Sequence, residues 1–122
     1  MVAFRSARAG DSGEAFRFRV SDAVEVPLRG VLLRLRLLDG APSMADLRPG
    51  RMLRLRAPDG EERWVRIQSI AVTGGRATQA RLDRTRELDV VISKADAQRD
   101  GRRVGIGWLA VGAAAASDER AA

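Results

Sequence analysis

Between residues 16 and 57, apolar side chains and arginines take turns along the chain. Phe16, Phe18 and Val20 alternate with Arg17 and Arg19. Leu33, Leu35 and Leu37 alternate with Arg34 and Arg36, and Leu53, Leu55 and Ala57 with Arg54 and Arg56. A period of two is that of a strand with one face buried and the other in water. A helix cannot bury such a set, because its faces repeat every 3.6 residues. The pattern therefore predicts an all-β fold, a small closed or partly open antiparallel barrel of about six strands.

The predicted strands are residues 16–20, with an extended piece at 22–26, then 31–38, 51–57, 62–72, 88–93 and 103–111. Residues 78–82 are a further candidate for local pairing. Pro58-Asp59-Gly60, Thr73-Gly74-Gly75 and Asp100-Gly101 supply turn chemistry between them. In the fourth strand Val65 and Ile67 share one face, while Ile70 and Val72 have the opposite parity. A bulge near Gln68 and Ser69 reconciles them. The expected core is Leu33, Leu35, Leu53, Leu55, Val65, Ile67, Val90, Ile92, Ile106 and Trp108. Met44 and Leu47 are expected to plug the loop between the second and third strands.

A chain of 122 residues suits one domain. Residues 1–13 read as a flexible leader, 14–111 as the β-barrel domain, and 112–122 as a flexible alanine-rich tail. No stretch approaches the ~20 apolar residues that a spanning helix needs, so no membrane insertion is expected and a cytoplasmic location fits. The chain has no cysteine and no histidine. Disulfides and thiolate metal sites are thereby excluded, along with the usual general base near neutral pH. The expectation is no metal, no cofactor, no catalytic residue and no enzymatic activity.

The order of the pieces resembles the β-barrel second domain of translational GTPases such as elongation factor Tu. Residues 16–20 resemble its opening strand, and Asp22-Ala23-Val24 the turn that follows. Leu28-Arg29-Gly30-Val31 resembles the corner, Arg48-Pro49-Gly50-Arg51 the second turn, and residues 65–70 the closing hairpin. The likeness covers residues 15–111. It implies a translation-protein-like barrel, which in that family holds the aminoacylated end of transfer RNA or docks on the ribosome. The chain departs from the pattern in three places. It lacks a Gly-x-x-x-x-Gly-Lys-Ser/Thr nucleotide loop. Leu28 stands where the corner has its first glycine. Arg34 and Leu35 stand where the next strand has a Thr-Gly pair. No residue of the family's RNA site carries over.

Net charge is +6, and of the 22 basic side chains only Lys94 is not arginine. Guanidinium groups match phosphate geometry, so Arg34, Arg36, Arg54 and Arg56 are candidate contacts to nucleic acid or another anionic partner. The competing reading is a wet barrel exterior whose arginines pair with Asp and Glu. Trp64 falls out of phase with Val65 and Ile67. It is either an exposed protein-contact anchor or a cover for one barrel end. Asp83, Glu87 and Asp89 are interleaved with Arg81, Arg84 and Arg86, which predicts local ion pairing rather than metal or acid–base chemistry. The glycines at 101, 105 and 107 follow a turn and open no helix, so no phosphate-cradling loop is expected.

The expected function is a non-catalytic binding module: a protein-interaction or scaffold barrel with an unknown protein partner. The alternative is an RNA- or ribosome-associated accessory binding through the arginine-rich face. A third reading is a partner subunit for a GTPase encoded elsewhere. A homo-oligomer is compatible with each.

Overall fold

The computed structural model describes residues 14–71 and 78–112. The expected leader at 1–13, the Thr73-Gly74-Gly75 turn and the tail beyond Gly112 lie outside the described residues. Within them the fold is all-β, with three short helical pieces.

The first strand, β1, is Phe16–Val26, and β2 is Gly30–Gly40. They form one long antiparallel hairpin. The two expected pieces at 16–20 and 22–26 are thus a single strand. Its register shifts between Val20 and Asp22, which keeps Phe16, Phe18 and Val20 inside and then returns Ala23 to the same side. A 3-10 turn, Met44–Asp46, follows; Ser43 caps it and its Asp46 carboxylate reaches back to the Ser43 N–H. Leu47 behind it is fully buried, and Met44 packs against the core.

Strand β3, Met52–Arg56, and strand β4, Glu62–Arg66, form the next hairpin across the Pro58-Asp59-Gly60 turn. There Gly60 N–H donates to the Ala57 carbonyl at 2.9 Å, and the Asp59 carboxylate accepts from Glu61 N–H. Strand β5 is Ser69–Ala71 and β6 is Glu87–Ile92. Helix α1, Gln79–Thr85, stands where the sequence offered a strand at 78–82. Its Thr78 side chain caps the start, and Leu82 is the one residue it buries. Helix α2, Lys94–Ala97, leads into a two-stranded ribbon of β7, Gln98–Arg99, and β8, Arg102–Arg103. Asp100 and Gly101 both have positive φ, as a tight hairpin turn requires. Strand β9 is Leu109–Gly112, so Gly112, assigned above to the tail, belongs to the sheet.

The main sheet runs β4-β3-β9-β1-β2-β6-β5, and every ladder in it is antiparallel. Its end strands are consecutive in the chain, separated only by Ile67 and Gln68. Laid flat, seven strands would span about 29 Å across six gaps. From Arg66 to Ser69 the chain reaches at most about 11 Å. The sheet must therefore roll until its two ends nearly meet. Among the described residues no ladder closes the roll; the chain itself does. Gly50 N–H and Ile67 N–H tie this link to the β3 side, and Gln68 N–H donates to Val91 on β6. The bulge that the parity break at Gln68 implied is this crossing between sheet ends.

All of the expected core residues but Ile106 are buried inside the roll. Ile106 is 62% exposed. Residues 103–111 are not one strand: Trp108 N–H bonds back to the Gly105 carbonyl, and Gly107 has φ +95°. The chain turns there, so Val104 and Trp108 both point inward and Ile106 sits at the tip.

Glycine is required at Gly30. Its φ is +135°, and a Cβ there would lie 2.2 Å from the Ile92 carbonyl oxygen. A Gly30→Ala variant is expected to lose about 1–3 kcal/mol from backbone strain alone, read as a lower urea midpoint. An unchanged midpoint would mean that β2 and β6 do not approach this closely. No helix among the described residues is long and apolar enough to cross a membrane.

Candidate functional site

The sheet order decides what the outward arginines meet. Across the strands, the register lines up Glu62, Arg56, Leu109, Arg19, Arg36 and Glu87 in one row. The next row is Trp64, Arg54, Val111, Arg17 and Asp39. A third, further along the β1–β2 hairpin, is Asp22, Arg34 and Asp89. Thus β3 and β2 are not neighbours. Strands β9 and β1 lie between them, and β9 presents Leu109 and Val111 there. The four candidate arginines form two separate pairs.

Each of the four is engaged by a carboxylate. Arg34 makes a two-pronged contact with Asp89, Nε to Oδ1 at 3.0 Å and Nη2 to Oδ2 at 3.1 Å. That carboxylate holds the Arg34 guanidinium even further above its usual range. Arg36 reaches Glu87 at 3.3 Å. Arg56 bonds Glu62 and Glu14, both at 2.9 Å, and Arg54 also bonds Glu14. Glu87 and Asp89 therefore pair across strands rather than with the local Arg81, Arg84 and Arg86, and Asp83 accepts from Gln79. For Glu87 and Asp89 the expected local pairing is replaced, because a strand points its alternate residues at the neighbouring strand. Arg19 has no ion-pair partner among the described residues and lies opposite Arg36.

Trp64 is 55% exposed on the outer face of β4. Its cross-strand neighbour Arg54 places its guanidinium carbon 5.9 Å from the ring centroid. This supports the indole from one side and leaves the rest of it in water. The free edge beside Trp64 is blocked. Arg99 donates to the Trp64 carbonyl at 3.2 Å, Asp96 accepts from Arg66 N–H at 3.1 Å, and the two side chains pair at 3.0 Å. Together they occupy two of the backbone groups that an added strand would use, the Trp64 carbonyl and the Arg66 N–H.

One arginine points the other way. Arg63 lies on the inward face of β4 and is 4% exposed. Its Nη1 donates to the carbonyls of Asp96 at 3.1 Å and Ala97 at 3.3 Å, and its Nη2 to Arg102 at 3.1 Å. The guanidinium carbon also sits 5.1 Å from the Trp108 ring centroid. Arg102, 5.3 Å from the same ring, is held by Asp59 at 2.7 Å and Glu61 at 2.8 Å. Its guanidinium keeps the Asp59 carboxyl below the ordinary carboxylate range. Sequence reasoning missed Arg63, although its parity matches that of Val65 and Ile67.

Among the described residues, no group of three Asp or Glu side chains is placed to hold a metal ion. Comparison with protein-family models, curated proteins and solved structures finds no match to this chain.

Proposed function

We propose that this chain is a non-catalytic binding module that holds a protein partner at the Trp64 face of a translation-protein-like rolled sheet, in the cytoplasm. The observation that carries the reading is the half-exposed indole, propped by Arg54 beside an edge that Asp96 and Arg99 have closed. Tryptophan and arginine are among the side chains that most often dominate protein contacts, and the indole buries a large rigid area at small entropic cost. A chain without histidine or cysteine is poorly equipped for acid–base or nucleophilic chemistry.

The RNA or ribosome reading is the runner-up. Phosphate at Arg34, Arg36, Arg54 or Arg56 would first have to displace a carboxylate. What favours it is the Arg19–Arg36 pair, two like charges facing each other across strands. Glu87 already offsets Arg36, so it is Arg19 whose charge is open to an anion.

The test is an affinity pull-down with and without nuclease. Under the protein reading, Trp64→Ala releases a nuclease-resistant partner and the double change Arg34→Ala, Arg36→Ala retains it. If the double change instead removes a nuclease-sensitive partner, with weaker salt dependence of binding, the RNA reading takes its place. Retention of the partner by both variants removes both site assignments.

A further inference from the structure

The far end of the β1–β2 hairpin carries an outward strip unlike the rest of the exterior. Past the Asp22–Arg34 row, the register sets Val24 opposite Leu32, and Val26 opposite Gly30. Leu32 in turn faces Val91 on β6. Val24 is 48% exposed, and Leu28 at the tip is exposed completely, at 107%. The other outward rows are dominated by ion pairs; this one is apolar.

Leu28 is also held in the left-handed region, at φ +66°. A side chain with a Cβ is disfavoured there, because the Cβ crowds the following carbonyl oxygen. Glycine or asparagine would make the same turn, which Arg29 N–H closes on the Val26 carbonyl at 3.0 Å, with far less strain. A leucine that is strained and fully in water returns nothing to its own fold. Its apolar surface is available for burial against another surface.

The charges at the two ends of the strip say what that surface is. At the tip stands Arg29, exposed and with no ion-pair partner among the described residues. At the other end Asp22, Arg34 and Asp89 together carry one net negative charge. A two-fold rotation that lays two hairpins antiparallel exchanges these ends. Arg29 of each copy then meets Asp22 of the other, and each Leu28 lies on the Val24 and Leu32 of its mate. We propose that a second copy of this chain docks here, forming a symmetric dimer through paired hairpin tips. The dimer is independent of the Trp64 reading; it uses different strands and would present two Trp64 faces. The strip is small, so the contact is weak and reversible.

Sedimentation equilibrium of the full chain, from roughly 10 μM to 1 mM at low salt, tests this over the range suited to a small contact. The expected result is a mass that climbs from monomer toward dimer. Leu28→Gly is expected to weaken association at least tenfold while its dilute monomer melts no lower than the wild type, because glycine relieves the strained turn. Arg29→Asp and Asp22→Arg should each weaken association about tenfold, and their combination should restore it by exchanging the two charges. A wild-type chain that stays monomeric throughout overturns the proposal. So does a Leu28→Gly chain that dimerises as well as wild type, or a double charge exchange no tighter than either single change.

Discussion

Replacing Arg63 by alanine is expected to cost this domain about 3–5 kcal/mol, from the lost hydrogen bonds to backbone carbonyls and the cavity left in the core. The guanidinium is the only group on β4 that reaches the inward-turned carbonyls of α2 and the β7–β8 ribbon. It donates to Asp96, Ala97 and Arg102 within 3.3 Å. It also stands between those carbonyls and the Trp108 ring. Alanine would take this donor from the part-buried carbonyls of Asp96 and Arg102, each costing about 1–3 kcal/mol if water does not enter, while the Ala97 carbonyl keeps its bond from Val104 N–H. It would also open a cavity beside Trp108. Arg63→Lys is expected to fall between alanine and wild type. An ammonium keeps the charge but cannot span carbonyls on two elements as a planar fork does. Urea denaturation checks the order. An alanine variant within about 1 kcal/mol of wild type would show that the 94–103 segment holds its place without this plug.

Much of the sheet could be read from the chain, because half-buried strands write their burial as alternation. Strand β2 is the clearest instance: Leu33, Leu35 and Leu37 are buried, while Arg34 and Arg36 are exposed. The parity break at Gln68 was legible too, but it reads as a bulge within one strand, whereas it marks the crossing between the sheet ends. What could not be read is partnership between distant strands. Nothing local says that β9 slides between β1 and β3, and so nothing says that Arg54 and Arg56 will meet Glu14 rather than extend the basic row of β1 and β2. Helix α1 was hidden for another reason. Seven residues with one buried leucine are too few to show a period, and only the Thr78 cap announces it. Arg63 was in view all along. The alternation that sends Val65 and Ile67 inward sends Arg63 with them, but a charged residue is seldom expected at a core position.

The same logic separates two leucine-sized positions that the sequence treats alike. Leu35→Ala is expected to lose about 2–5 kcal/mol, and Ile106→Ala less than about 0.5 kcal/mol. Leu35 has no exposed surface and lies mid-strand, opposite Val20 on one side and Leu88 on the other. Both neighbours belong to the same buried cluster and are held in ladders, so they can move little to fill the space. The loss then combines lost transfer energy with an unfilled cavity. Ile106 has the parity of Val104 and Trp108, yet it sits on a turn whose backbone is fixed by the Trp108 N–H to Gly105 carbonyl bond and by Gly107 N–H to Val20. Neither bond involves the isoleucine side chain, which is in water. Chemical denaturation of the two variants measures the difference directly. A large loss at Ile106 would mean that residues 103–111 form the continuous strand that alternation implied. A small loss at Leu35 would mean that the roll is loose enough to collapse around the missing side chain. The two together distinguish where period-two alternation reports burial from where a glycine turn interrupts it.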